Sequence, residues 1–482
     1  MSITPELKDI LSILPALVLS GGGLLLLVLQ FAFHTDDHRF VRFFTGTIFV
    51  VALFFLLDTG FAYPGDGIYF KGQIKISKTA SWLNLIYIVT AFLTVIASSK
   101  TLRKHKVRFP EYYPLVLFAT TGMFFMTTSA DLILVFVGLE VLSISLYVMI
   151  GMARTEVTSL EASLKYFLLG AFSSGFMLMG IAFLYGGSGS TLIATTLQPI
   201  ADGTASIYSK IGFGLFLVGV SFKIALAPFH SWTPDVYEGS LTTITGFMAS
   251  GPKAAAMGLM LIVFQYLYPA IINTHWNFLI GGLALFSMTI GNVVALQQDN
   301  LKRVLAYSSI SHAGYVVAGI ACGANAEVVY YLFMYSFMNI AGFSIIAYLE
   351  DGERSITYDS LKFLVKHKPW TSFGLLVIFF SLAGIPPFIG FWTKLFLFQK
   401  IIAESQNPLN MLLLIGGVVN SAIAIYYYLR VTVNIFMVEE DNGIGDSVAD
   451  IPKSGGITLV SGICFFFILF SWIFLTPGNT ML

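Results

Sequence analysis

Long apolar runs separated by short polar stretches make up the chain, and the runs have the length needed to cross a bilayer as helices. At 1.5 Å per residue, about 20 apolar residues span roughly 30 Å of hydrocarbon. The pattern predicts about fourteen such helices, at approximately 10–32, 40–62, 79–99, 112–129, 131–152, 160–185, 207–232, 241–268, 276–297, 302–322, 326–349, 371–402, 409–437 and 455–476. Gly, Pro, Asn, Asp and clustered charge mark the connections. The first run follows Lys8 without a small-residue cleavage site behind it, so it reads as a retained span instead of a signal peptide. Little chain remains for a soluble domain.

Composition agrees. Only 11% of the 482 residues are charged and 56% are apolar, whereas soluble domains carry about 25% charged residues. Lys+Arg and Asp+Glu both number 26, which leaves no basic face for nucleic acid. Cys322 and Cys464 stand singly in apolar surroundings, so thiolate-held Fe-S clusters, CxxC redox pairs and Cys-zinc sites are excluded. Any redox chemistry belongs to a partner, and no metal site is expected in this chain. The aromatic content reads as ordinary membrane filling.

Numbering the connections alternately sorts the cations. Sixteen fall on one side, among them Arg39, Arg42, Arg103, Lys106, Arg108, Lys302, Arg303, Arg354 and Lys453, against Lys8, Lys71, Lys75, Lys78, Lys210 and Lys400 on the other. The positive-inside rule makes the first side cytoplasmic and puts both termini outside. Four cations are left within spans, all of them lysines: Lys165, Lys223, Lys253 and Lys394.

A charge at bilayer depth costs several kcal/mol, so each is a candidate functional group. Glu140, in DLILVFVGLEVLSISLYVMIG, is the only acid in mid-span, too deep for its short side chain to reach water. The competing reading is a carboxyl paired only for packing specificity. Lys223 precedes Pro228 by five residues, and the proline predicts a helix break beside the charge. Glu140 and Lys223 therefore read as a switchable couple. Lys253 follows Gly251-Pro252, again a predicted discontinuity, and Lys394 follows Pro386-Pro387, with snorkelling to the outer interface as its alternative. Lys165 sits only about five residues into its span, where snorkelling and function are both open. His230, after the Pro228 break, and His312, amid Tyr307, Ser308, Ser309 and Ser311, fall within spans and read as relays or as satisfied hydrogen-bonding groups.

Sliding the chain on itself reveals a faint repeat. Tyr166, Phe172, Ile181, Ala182, Leu184 and Gly187 match Tyr331, Phe337, Ile346, Ala347, Leu349 and Gly352, and Pro228-Phe229 matches Pro387-Phe388. Five spans separate the two breaks, and an odd number inverts the second copy. The expected organisation is an N-terminal three-helix segment (1–110), a first five-helix repeat (111–270), a second (271–440) and a C-terminal helix (441–482).

The segment SFKIALAPFHSWTPDVYEG, together with GLE at 138–140, LKYFLLGAFSSG, NLKRVLAYSSISHAGY and GIPPFIGFWTK, resembles the antiporter-like subunits of NADH:quinone oxidoreductase, respiratory complex I, along the whole length. PDVYEG stands where the M and L types usually read PDAxEG, which brings the chain nearer the N type. The resemblance implies an all-α polytopic membrane protein of about fourteen helices, with two inverted five-helix repeats and broken seventh and twelfth helices. It implies a proton path through Glu140, Lys223, Lys253 and Lys394, and adds Lys165 to the set. Its function would be outward proton transport coupled to quinone reduction in partner subunits, which would carry NADH, flavin, Fe-S clusters and quinone. The chain itself would bind no cofactor. Expected partners are the other membrane subunits, including neighbouring antiporter-like ones, and the lipid of a bacterial inner membrane. One departure is GSLTTITGF, where relatives commonly open the eighth helix with an APTPV-like segment. The alternative is a subunit of a multi-subunit cation/proton antiporter. A solute carrier fits less well, because carriers rarely line lysines across both repeats, and buried charges argue against a passive scaffold.

Overall fold

The computed structural model describes residues 6–477 apart from 34–37, 63–66, 108, 269, 273, 351–354, 363, 405–406 and 438–453; Arg108, Arg354 and Lys453 therefore lie outside the described residues. In chain order, α1 (Leu7–Ser12) and α2 (Leu14–Phe33) make the first span, followed by α3 (His38–Leu57), α4 (Lys78–Lys104), α5 (Tyr112–Thr128), α6 (Leu132–Ile150) and α7 (Val157–Ser188). After the short α8 (Ile193–Ala201), the seventh span is divided into α9 (Ile207–Ile224) and α10 (Trp232–Gly239), and the eighth into α11 (Thr242–Ala249) and α12 (Gly251–Leu267). Then come α13 (His275–Ala295), α14 (Leu301–Ala321), α15 (Asn325–Leu349) and the four-residue α16 (Leu364–His367). The twelfth span is divided into α17 (Pro369–Ala383) and α18 (Ile389–Ala403), and α19 (Pro408–Phe436) and the helix Gly455–Phe474, here α20, close the series.

Twelve of the described segments are long and apolar enough to cross a membrane. The 17-residue α5 and the divided α17–α18 pair complete the fourteen predicted spans. A hairpin of β1 (Gly67–Tyr69) and β2 (Ile74–Ile76), paired antiparallel, interrupts the otherwise helical chain. Its strands are three residues each, too short for an alternating pattern to reveal them.

The predicted breaks are present. α9 ends on Ala225 (φ 63) with Leu226 N–H donating to Ser221 O at 2.9 Å, and α17 ends on Gly384 (φ 83) with Ile385 N–H donating to Phe380 O at 3.0 Å. Both are Schellman endings, and each left-handed residue stands three places before a proline, Pro228 or Pro387. At the first break that conformation is imposed on an alanine, which costs roughly 1–2 kcal/mol. Between α11 and α12, Ser250 (φ −107, ψ −91) leaves the helical region just before Gly251-Pro252.

Burial is uneven. Within their apolar windows α11–α12, α14 and α15 are each 94% buried, whereas the first two spans are 28% buried. The central helices therefore form the core, and it is they that carry Lys253 and His312. Helix contacts inside lipid rely on close backbone approach at small residues. A side chain on Gly122 of α5 would meet Gly138 O at 2.5 Å, and one on Gly138 of α6 would meet Gly122 O at 2.8 Å. Gly291 of α13 sits as tightly against the backbone of α14, where an added Cβ would meet Ser311 N at 2.6 Å.

Gly138→Leu should force α5 and α6 apart, with an overpacking cost of about 1–3 kcal/mol or more. The expected result is a lower thermal midpoint and less assembled protein in membranes. Gly175→Leu, where nothing lies within 4 Å of the new Cβ, should leave both unchanged.

Candidate functional site

The site begins on one face of α6. Glu140, Ser143 and Tyr147 are spaced three and four residues apart, which aligns them along the helix. Glu140 is half-buried and accepts a hydrogen bond from Ser174 of α7. Lys223, in the last turn of α9 and 8% exposed, donates to Ser143 Oγ at 2.7 Å and Tyr147 Oη at 3.2 Å. Its ammonium also lies 5.4 Å from the Tyr147 ring centre and 5.2 Å from that of Tyr166. These aromatic faces add electrostatic attraction to the buried ammonium. Tyr166 stacks on Trp232 at 4.6 Å, and Trp232 Nε1 donates to Phe222 O at 3.0 Å, which fixes the far side of the break.

The expected Glu140–Lys223 couple is thus indirect. No ion pair joins the two among the described residues; each has its own hydroxyl partner, and Ser143, one turn from Glu140, stands between them.

Lys253, in the first turn of α12, donates to Ser309 O at 2.9 Å and Ser309 Oγ at 2.7 Å on α14. A cavity of about 20 Å³ separates it from Lys223, bounded by Ser143, Tyr166, Trp232 and Tyr237. That volume holds about one water molecule. One turn from Ser309 the buried His312 is held by Tyr331 Oη at 2.7 Å from Nδ1 and Tyr428 Oη at 3.2 Å from Nε2, and stacks on Tyr335 at 4.6 Å. Tyr428 is hydrogen-bonded in turn to Ser308. The predicted serines are at the site, with tyrosines from α15 and α19 beside them.

Lys394 of α18 does not snorkel. It is 5% exposed, donates to Leu382 O at 3.3 Å and Ala383 O at 3.2 Å, and lies 5.3 Å from the Tyr315 ring centre. Those carbonyls are left without helical partners by the break and form the negative end of α17. Leu382 precedes Pro387 by five residues, as Lys223 precedes Pro228. Lys223 thus precedes its break and Lys394 follows its own, and only Lys394 bonds the carbonyl end of its first half-helix. Lys253, by contrast, lies at the amide end of α12, where a positive charge is disfavoured.

Two polar cavities lie at opposite ends of α14. The first, about 580 Å³, is lined by Glu161, Lys165, Asp235, Glu238, Lys302 and Glu350, among others. The second, about 280 Å³, is lined by Asn277, Cys322, Glu404, Asn407 and Asn410. Lys165 belongs to the first cavity, not to the buried row: its side chain is 43% exposed and pairs with Glu161 at 2.7 Å and Asp235 at 3.1 Å. Asp235 also receives Arg303 Nη1 at 3.0 Å. Deeper in, Lys302 donates to Ser240 O at 2.8 Å and lies 3.7 Å from Glu350, whose carboxylate accepts from Thr242 at 2.7 and 2.6 Å. His230 lies in the turn after the first break, half-buried, its Nδ1 without a partner among the described residues, and makes no bond to the lysine row.

Residues 129–423 match the family described as NADH:quinone oxidoreductase/Mrp antiporter, TM. The chain belongs to that family. It is 52% identical to NADH-quinone oxidoreductase subunit N of Leptospira interrogans serogroup Icterohaemorrhagiae serovar Lai over all of this chain and 94% of the relative. It is 50% identical to the subunit N of Leptospira biflexa serovar Patoc, with both chains fully covered. A chain of respiratory complex I from Thermus thermophilus with bound aureothin superposes with a TM-score of 0.76 at 30% identity, covering 94% of this chain and 97% of that one. The Mrp complex of Dietzia sp. shares the fold at a TM-score of 0.78 and 19% identity, covering 97% of this chain and 95% of that one.

Within this antiporter-like fold, the hydroxyls on Lys223 should matter as much as the helix break. Charged hydrogen bonds contribute roughly 1.5–3 kcal/mol each. Ser143→Ala combined with Tyr147→Phe should leave the protein assembled but slow proton transfer about tenfold or more, read as proton uptake by membrane vesicles at matched NADH oxidation. An unchanged ratio would reduce both hydroxyls to packing.

Proposed function

We propose that this multi-pass membrane protein is the proton-translocating subunit of NADH:quinone oxidoreductase in which protons enter by the cavity at the start of α14 and leave by the cavity at its end. The observation that carries this reading is the placement of the two polar cavities at opposite ends of one buried helix, with Lys223, Lys253, His312 and Lys394 between them. Asp235, Glu350, Lys165 and Lys302 collect protons in the first cavity. Lys223 and Lys253 exchange one across the small intervening cavity. His312, whose two ring nitrogens face different tyrosines, passes it along α14 toward Lys394. Glu140 acts on Lys223 through Ser143 as an electrostatic switch, driven by quinone reduction in partner subunits. His230 takes no direct part in the transfer.

The cation-rich side, which includes Arg42, Arg103, Lys302 and Arg303, faces the cytoplasm, so protons move outward and both termini lie outside. Spans four to eight and nine to thirteen act as the two inverted repeats, each contributing one break and one half-channel. NADH, flavin, Fe-S clusters and quinone belong to partner subunits, and neighbouring antiporter-like subunits pack beside this one in the bilayer.

Glu140→Gln and Lys223→Ala should each lower pumping by roughly tenfold or more, a loss typical of a missing proton-transfer group. If they form one switch, the double variant should pump as poorly as the worse single variant. Full pumping and quinone reduction in either single variant would remove the pair from the path. Orientation has its own test: a reporter fused after Leu482 should be active only if it works outside the cytoplasm, and activity of a cytoplasm-only reporter would reverse the assignment.

A further inference from the structure

Another cavity lies away from the proposed proton path, where the ends of α3, α4 and α5 meet at one face of the membrane. It is a half-open groove of about 350 Å³ lined by Arg39, Arg42, Ser99, Arg103, Lys106 and Tyr113. Four cations converge on it, Arg39 and Arg42 from α3, Arg103 from α4 and Lys106 from the turn after α4. Both α3 and α5 begin there, so two helix amide ends add positive potential. α4 ends there, and its carbonyl end is offset by Arg103 and Lys104 in its last turn. The fully buried Tyr113 forms the inner wall, and its hydroxyl has no hydrogen-bond partner among the described residues.

The groove's flank is apolar. Below Arg39 and Arg42 the exposed face of α3 carries Phe40, Phe43 (70% exposed) and Phe44, and continues through Val50 and Phe54 (66% exposed) toward the bilayer centre. A phosphate-binding head above a strip of exposed aromatic and aliphatic side chains matches the two ends of an anionic phospholipid, and clustered Arg and Lys at the cytoplasmic interface attract such headgroups. Arginine's planar fork also suits phosphate oxygens.

We propose that the α3–α4–α5 groove is a binding site for the phosphate headgroup of an anionic phospholipid, with Arg42 and Arg103 as its main ligands and the Phe40–Phe43–Phe44 strip holding the upper acyl chain. A free phosphate shares the headgroup chemistry but not the apolar flank. An acidic segment of a partner subunit would use the cations and leave the strip uncovered.

The test uses the assembled complex and phosphatidylglycerol with a photoactivatable group near the start of one acyl chain, the labelled peptides being mapped by mass spectrometry. Label should appear within 38–54, with much less from the matching phosphatidylcholine probe. Arg42→Gln combined with Arg103→Gln should cut it about tenfold or more, since each interfacial cation contributes on the order of a fivefold preference. Arg42→Lys with Arg103→Lys should retain most of it, and NADH-to-quinone electron flow should be normal in both pairs. Persistence of label in excess inorganic phosphate assigns the site to lipid, and its displacement would assign the same cations to free phosphate. Equal labelling by the two lipids, an unchanged signal in the glutamine pair, or cross-links to an acidic partner peptide would overturn the lipid site. Should the glutamine pair fail to assemble, the contrast between the two lipids on the native complex still decides.

Discussion

An ammonium group can be kept in hydrocarbon only if something polar is kept there with it, and in this chain the polar partners come from broken helices and hydroxyls in place of carboxylates. Lys394 binds the carbonyls that the break of α17 leaves without helical donors. Lys223 binds two side-chain hydroxyls and lies against aromatic faces. Lys253 binds a serine that also anchors α14. Each of these partners stabilises an ammonium without neutralising it as a carboxylate would. In the proposed path this leaves the amines able to exchange protons, where a tight buried ion pair would hold them and cost several kcal/mol to separate.

The helix break recurs in the second half of the bundle. Matching Schellman endings before Pro228 and Pro387 place one irregular stretch in each half. The two polar cavities lie at opposite ends of α14, the arrangement that the proposed inversion of the second half would give. The helix joining the two cavities is also among the most buried, so the two ends are separated by a tightly packed, tyrosine-rich middle around His312. Lining that middle with Tyr331, Tyr335 and Tyr428 supplies hydroxyls without adding charge.

Much of this was legible in the sequence because a charge inside a twenty-residue apolar run stands out. Glu140, Lys223, Lys253 and Lys394 were readable for that reason, and the adjacent prolines and glycines gave away the breaks. What escaped detection lies where the background hides it. Asp235, Lys302 and Glu350 sit at helix ends, where charge is common, and only the fold gathers them around one cavity. Tyr147, Tyr331 and Tyr428 look like membrane filling until their hydroxyls are placed, although the Glu140–Ser143–Tyr147 spacing did carry a usable periodic signal. For Lys165 the sequence left snorkelling and function open, and the side chain turns toward the open cavity and Asp235. Separation of Glu140 from Lys223 depends on Glu140 bonding Ser174 of α7 while Lys223 reaches α6 one turn further on at Ser143, a packing fact with no one-dimensional signature.

If buried amines held by carbonyls and hydroxyls carry the proton, Lys394 is the sharpest place to see it, because its acceptors are backbone atoms that no substitution removes. Methionine fills a similar volume and cannot titrate. In membranes containing the assembled complex, proton uptake and quinone-linked electron flow should be followed together for Lys394→Met. Normal assembly with proton translocation lost is the expected result, and unchanged proton translocation per electron in the assembled variant would show that Lys394 carries no proton.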